Sequence, residues 1–472
     1  MLIASVLLDA AARPRAPGLR RGRGLALHAL AMTALFGFGL AMSGNVAVAA
    51  VLATALMALF TVASNAKNRM LGEPLVFSDL ALLVGVVRHP RFYFTALSRR
   101  QRWLLAIGAL LALVVFVLLL SPHLPSHLVG IALLLGAGGA IRVLLGSRWY
   151  DPVAQLPDLG GDVARYGLAA TLLLYWARWR DSGDPQPRPP LVPAADPPAL
   201  IVVIQCESFA DPVEIAGAAT AALPALDAAR AAAWQYGELD VSGFGAYTMR
   251  TEYGVLFGRS EDELGFRRYD PFLSALGETS HALSAQLGSA GYRATFVHPH
   301  DLRFYRRDRL MPAIGFDTVI GDEGFAPLPA GAGRYVDDRT LGAALGDLID
   351  QAVAPTMIYA VTMENHGPWD SEGVAQAPLD AYLGHLQSSD AMLGDLVARL
   401  SRDGRPALLV FFGDHRPSIP GVTEPGGARH TPYVMLRFAS GGGLVDGPGR
   451  VDLTPAALHH AILGAVTLSR PA

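Results

Sequence analysis

The sequence holds one cysteine, Cys206, in 472 residues. That excludes an internal disulfide framework and any cluster of thiolate metal ligands. Charge is scarce as well: charged residues make up 17% of the chain, against about 25% in soluble domains. Neither sign dominates, with Lys+Arg 38 against Asp+Glu 41 and a net charge of -3. Without a basic excess there is no electrostatic footprint for a phosphate backbone, and nucleic acid is not an expected partner. What the chain has in excess is hydrophobic residues, 51% of the total.

Much of that excess lies near the N-terminus. Residues 24–42 form an apolar run of about the 20 residues needed to cross a bilayer. Residues 45–63 form a second run after the break Ser43-Gly44, 103–120 a third and 128–145 a fourth. A short fifth, 166–176, is flanked by Arg165, Arg178 and Arg180. The first run is followed by more of the same instead of a cleavage site, which argues against a removed signal peptide.

Orientation follows from the basic residues. Arg13, Arg15, Arg20, Arg21 and Arg23 precede the first run. Lys67, Arg69, Arg88, Arg91, Arg99, Arg100 and Arg102 lie between the second and third. The positive-inside rule keeps both groups in the cytoplasm, and residues 121–126, with no Lys or Arg, suit the outer side. The fifth segment then sets the side of everything after it. If it crosses, the C-terminal half is extracytoplasmic; if it lies on the surface, that half is cytoplasmic. Crossing is the expectation adopted, giving a multi-pass protein of a bacterial inner or plasma membrane. Residues 72–94, interrupted by Pro74, Asp79 and Pro90, read as an interfacial or re-entrant element. Proline density over 181–198 reads as an extended linker. The expected division is a transmembrane section over 1–180, a linker over 181–198 and a catalytic domain over 199–472.

From residue 199 onward, apolar strand-like runs alternate with helical patterns. Residues 200–206, 294–299, 356–363 and 407–414 read as buried parallel strands, and 280–290 and 379–402 as helices. Continuous apolar strands separated by helices predict an α/β domain with a mostly parallel sheet covered on both faces. Such sheets bind ligands just beyond the carboxyl ends of their strands. Four strand ends deliver polar groups there: Glu207-Ser208, His298 with His300, Asn365-His366, and Asp414-His415.

Any one of these groups alone is an ordinary helix start or capped turn. Converging on one edge, Glu207, Asp414 and His415 make an oxygen and nitrogen set suited to Mn²⁺, Mg²⁺ or Zn²⁺. A hydroxyl held by such a cation becomes a nucleophile near neutral pH. The loop Gly243-Phe244-Gly245-Ala246-Tyr247-Thr248 presents one, although Thr248 could equally cap the helix that follows.

Five segments in order, ESF at 207–209, GFGAYTMRTEYGVLFG at 243–258, FYRRD at 304–308 with GFD at 315–317, ENHGPW at 364–369 and GDH at 413–415, resemble the lipoteichoic acid synthase-like phosphoglycerol transferases. These belong to the alkaline phosphatase and sulfatase superfamily, and the resemblance runs through the membrane section as well. It implies Thr248 as nucleophile and Glu207, Thr248, Asp414 and His415 as holders of one divalent cation, manganese foremost, with magnesium or zinc as alternatives. It also implies that Arg307 binds the substrate phosphate, for which a guanidinium fork is suited. His366 contacts the phosphoryl or leaving group as a general acid, and Tyr305 and His298 complete the pocket. The implied reaction moves phosphoglycerol from a phospholipid donor, phosphatidylglycerol foremost, to an envelope glycan or polymer through a phospho-threonine ester. The chain departs from the pattern where Tyr305 replaces a frequent tryptophan and where Met363-Glu364 precede Asn365-His366.

Four other readings compete. A sulfatase would need a Cys or Ser in a formylglycine signature, and Cys206 is followed by ESFA. A phosphoethanolamine transferase shares the superfamily but usually carries disulfides, and a phosphodiesterase or hydrolase would need only water for the second step. A binding protein with a degenerate site would have no use for Thr248 beside the three other ligands.

Overall fold

The computed structural model describes residues 1–16, 18, 20–80, 100, 103, 107–108, 111, 114, 116–217, 222–329, 333–369 and 377–467. It divides into two compact units, Met1–Ser182 and Gly183–Ala472.

The first unit is helical: α1 (Leu2–Ala10), α2 (Gly22–Ser43), α3 (Val46–Leu71), α4 (Leu124–Leu145), α5 (Leu159–Tyr166) and α6 (Leu168–Asp181). Among the described residues, α2, α3 and α4 are long and apolar enough to cross a membrane. Their outer faces carry bare hydrocarbon, with Val51, Val62, Leu135 and Val143 between 66% and 71% exposed, as a lipid solvent permits. Helices α2 and α4 approach closely because Gly37 and Gly130 face each other. A Cβ on Gly37 would sit 2.8 Å from Gly130 O, and one on Gly130 would sit 2.3 Å from Ala41 N, so only small residues fit this crossing.

Of the five expected spans, the first, second and fourth correspond to these three candidates among the described residues. Part of 103–120, and most of the interfacial element at 72–94, lie outside the described residues. Nearly all of the fifth segment lies in the 14-residue α6, which Gly167 separates from α5. At about 1.5 Å rise per residue, α6 is shorter than the roughly 30 Å hydrocarbon layer. The unforeseen α1 is held by Asp9, which is buried and lies 3.1 Å from Arg20 Nε.

The second unit is an α/β domain around one mixed sheet, with strands β1 (Leu200–Cys206), β2 (Gln235–Leu239), β3 (Arg293–Val297), β4 (Thr318–Ile320), β5 (Thr356–Val361), β6 (Ala407–Gly413), β7 (Thr431–Phe438) and β8 (Gly449–Arg450). Their order is β4-β3-β5-β1-β6-β7-β2-β8. Strands β4, β3, β5, β1 and β6 are mutually parallel; β7 runs antiparallel to β6 and to β2. The four expected strands are present as β1, β3, β5 and β6. The two expected helices appear as Leu283–Ser289 and as a long helix over Pro378–Asp403.

Period-two alternation in β1 explains the two cores. Ile201 and Val203 point into one apolar cluster, which also holds Tyr253, Leu256 and Ile462 from helices α7 (Thr248–Phe257) and α10 (Pro455–Thr467). Leu200, Val202 and Ile204 point into the other, with Leu341 and Leu345 of α8 (Asp338–Gln351) and Leu393 and Leu396 of α9 (Pro378–Asp403). Each face is thus sealed by helices, as a parallel sheet requires. The β1–β6 register pairs Cys206 with Gly413, so Glu207 and Asp414 leave neighbouring strands at the same level.

Candidate metal and phosphoryl-transfer site

Glu207, Asp414 and His415 come together at those strand ends and are buried. His415 Nε2 lies 3.3 Å from Glu207 Oε1 and 3.9 Å from Asp414 Oδ2. Its Nδ1 lies 3.0 Å from Arg416 O, which makes Nδ1 the donor in the neutral ring and aims the Nε2 lone pair at the carboxylates. Ser208, held at φ 48°, donates its backbone N–H to Asp414 Oδ1 at 2.8 Å and its hydroxyl to Glu207 Oε1 at 2.9 Å. Asp414 Oδ2 is left buried with no hydrogen-bond partner. Gly413 is required here because a Cβ would fall 2.0 Å from Phe209 O.

Thr248 joins this group from the first turn of α7. Its hydroxyl donates to Glu207 Oε2 at 3.2 Å and lies 3.4 Å from His415 Nε2. The capping alternative does not hold: the N-cap is Tyr247, in the left-handed region at φ 78°, and no side chain caps the helix. Thr251, one turn on, donates to Asp414 O at 2.7 Å and pins α7 to the end of β6.

Charge in this cluster is strongly coupled. Burial disfavours the ionised form of Glu207, yet His415 beside it holds the carboxyl well below its ordinary range. Burial and then the neighbouring Glu207 push Asp414 up to about 7. His415 resists burial through Asp414 and Glu207 and is raised to about 9. Asp414 and His415 thus retain protons that a cation can replace. The orphaned Asp414 oxygen, the aimed Nε2 and the all O/N donor set fit a hard or borderline divalent metal. A second acid–histidine group, Glu214, Glu238 and His430, is more exposed. Arg416 already donates to Glu214 and lies 2.8 Å from His430 Nε2.

The remaining expected residues lie on adjoining loops. His298, after β3, contacts Val361 O through Nδ1 at 3.0 Å and Arg307 Nη1 through Nε2 at 3.4 Å. Burial, then the Arg307 charge, holds it neutral, well below the usual imidazole range. Arg307 is 1% exposed. Its Nε donates to Glu252 Oε1 at 3.0 Å and a terminal nitrogen donates to Glu252 Oε2. Tyr305 and Arg306 are consecutive left-handed residues at φ 56° and 59°, and the Tyr305 ring lies 5.1 Å from the Arg307 guanidinium. Backbone strain gathers here: Ser208, Tyr247, Tyr305 and Arg306 are four of five non-glycine residues with positive φ among those described. His366 follows β5, with Nδ1 2.7 Å from Gly367 O and 3.4 Å from the Tyr335 hydroxyl.

Glu252 and Tyr335 were not foreseen. The signal for Glu252 was its spacing: four residues past Thr248, it shares the helix face that carries that hydroxyl. Tyr335 had no local pattern, and only the fold brings it to His366.

Residues 199–461, more than half of the chain, match the sulfatase family. The chain belongs to the sulfatase family. The resemblance drawn from the five motifs holds at the level of the alkaline phosphatase superfamily. RkpI, a capsular polysaccharide biosynthesis protein of Rhizobium meliloti (strain 1021), is 29% identical over 436 residues, covering 86% of this chain and 81% of RkpI. The fold is similar to that of the integral membrane lipooligosaccharide phosphoethanolamine transferase A of Neisseria meningitidis. That similarity has a TM-score of 0.54 at 12% identity and covers 95% of this chain and 96% of the other. The likeness therefore includes the helical membrane section as well as the sulfatase-like domain.

Proposed function

We propose that this member of the family is a metal-dependent phosphoglycerol transferase with an extracytoplasmic catalytic domain, acting on a phospholipid and an envelope glycan. The observation that carries the reading is the Thr248 hydroxyl at the start of α7, within 3.2 Å of Glu207 and 3.4 Å of His415, beside an orphaned Asp414 oxygen. Glu207, Asp414, His415 and Thr248 Oγ1 would hold the cation, manganese first and magnesium or zinc next. Bound there, a divalent ion supplies charge neutralisation and a lowered hydroxyl pKa.

The chain's own groups do the rest. Thr248 Oγ1, its proton released to solvent, forms a bond to phosphorus as the lipid's diacylglycerol oxygen leaves, taking a proton from His366 Nε2. The positive end of the α7 dipole favours the phosphate charge. With Nε and one terminal nitrogen committed to Glu252, Arg307 would meet the phosphate through Nη1, 3.4 Å from His298 Nε2, and neutral His298 adds polarity without a competing charge. An acceptor hydroxyl then displaces Thr248. Capsular polysaccharide biosynthesis, the role named for RkpI, favours a glycan acceptor.

The test incubates the full chain in detergent with Mn²⁺ and phosphatidylglycerol labelled in the headgroup. Diacylglycerol release with a threonine-linked label, both lost in Thr248→Ala, is expected. Turnover of phosphatidylethanolamine in its place would move the assignment to a phosphoethanolamine transferase. Turnover of no phospholipid would remove the lipid donor.

A further inference from the structure

Beyond His366 the domain opens into a cleft of about 700 Å³, separate from the Arg307–His298 side of the centre. Its walls include Tyr335, Asp337, Glu364, Trp369 and His385, with His366 at its inner end. The volume is that of a small-ligand site. From this geometry we infer that the cleft is the acceptor subsite and takes a saccharide ring, an inference that rests on the transferase reading above.

Three observations support a sugar. First, Tyr335 connects the cleft to the chemistry. Its ring stands edge-on to His366 at 5.6 Å and lies 6.1 Å from His300, and its hydroxyl is 3.4 Å from His366 Nδ1. A ring resting on Tyr335 would bring one of its hydroxyls to His366. Second, aromatic groups share the cleft with carboxylates and an imidazole, a mixture that matches the apolar C–H face and polar rim of a pyranose. Third, an acyl chain is a poor occupant. It would strip water from Asp337 and Glu364 and return no hydrogen bond, a desolvation cost that hydroxyl groups offset.

The step is a displacement at phosphorus. The sugar oxygen forms its bond to phosphorus as the Thr248 Oγ1–P bond breaks. The sugar's hydroxyl proton passes to His366 Nε2, and Thr248 regains a proton from solvent. His366 is thereby returned to the acid form that the next lipid cleavage consumes.

Gly384, on α9, offers a way to fill the cleft. It is exposed and lines the cavity, and a Cβ added there meets no atom within 4 Å. The experiment loads the full chain with labelled phosphatidylglycerol and discharges the covalent enzyme with glycerol or with methyl glycosides of glucose, galactose and N-acetylglucosamine. Wild type should be discharged saturably by at least one glycoside, with at least tenfold greater efficiency than by glycerol. In Gly384→Trp that preference should fall to near unity while lipid cleavage and glycerol discharge stay within twofold; Gly384→Ala, equally folded by thermal melting, should keep it. The wild type alone decides against the subsite if no glycoside outcompetes glycerol. Lipid cleavage falling with the preference in Gly384→Trp would give the cleft to the lipid donor and overturn the proposal. Failure to form any covalent threonine ester would overturn the transferase reading first, and the subsite with it.

Discussion

At the residue scale, the proton inventory of the metal cluster has a measurable consequence. Asp414 is raised to about 7 and His415 to about 9 in the protein without metal. Both are raised, so each holds a proton at a pH where its free counterpart would have released it. A cation must expel those protons, so binding releases them and affinity increases with pH through the 7–9 window. Below pH 7 both sites are protonated, and affinity should fall by up to a hundredfold per pH unit. Calorimetry with Mn²⁺ in buffers of different ionisation enthalpy reads the released protons directly; a pH-independent affinity would contradict this account.

Glu252 is the second residue-scale case. It is fully buried, and its ion pair fixes the orientation of Arg307. Glu252→Gln leaves a buried guanidinium without its counter-charge, at a cost of about 3–5 kcal/mol. The expected result is a lower melting temperature together with a kcat/KM for lipid cleavage reduced by one to two orders of magnitude. Arg307→Lys should show a similar loss of kcat/KM, since an ammonium cannot reproduce the bidentate contact. Retention of full activity in both would mean that the pair serves stability alone.

At the scale of elements, the site depends on how closely β6 meets the turn after β1. The space above Gly413 is occupied by Phe209 O, 2.0 Å from where a Cβ would lie. Gly413→Ala must displace Asp414 or that turn. Overpacking of this kind costs about 1–3 kcal/mol, and the metal should bind at least tenfold more weakly; titration with Mn²⁺ alongside a thermal melt separates the two effects. The strands that matter most were also the most legible. The segments that became β1, β3, β5 and β6 are continuous apolar runs because both of their faces are covered, and their ends announce themselves as polar residues. Strand β7 was hidden by Pro432 and Arg437, and β2, reading QYGEL, lacks any apolar run. The membrane section was legible where spans are uninterrupted, as in α2 and α3. The fifth segment, short in the sequence, lies almost wholly in the 14-residue α6 that starts just after Gly167. Tyr335 and the pairing of Arg307 with Glu252 join residues far apart in the chain, and such contacts leave no mark in local sequence.

At the scale of the molecule, the second unit has its own two-faced core and its own complete candidate site. Expressed as residues 183–472 it should fold and turn over a short-chain, water-soluble glycerophospholipid at a rate within about tenfold of the full chain. Against the same headgroup in a bilayer, it should lose far more, because tethering supplies effective concentration at the surface. Comparing the two substrates in both forms of the protein checks this directly; equal losses on both would tie the membrane section to the chemistry itself.

The placement of Glu207 and Asp414 just past the ends of adjacent central strands also bears on how such a protein can change. Those residues are fixed by paired backbone and by packing on both sheet faces, whereas Tyr335, Arg334 and Pro368 sit on connections outside the sheet. Substitutions in those connections leave the strand register untouched. A lineage built on this plan can therefore vary what its cleft admits while keeping its central residues in place, and chains with the same Glu207, Asp414 and His415 triad should differ first, and most, around the cleft.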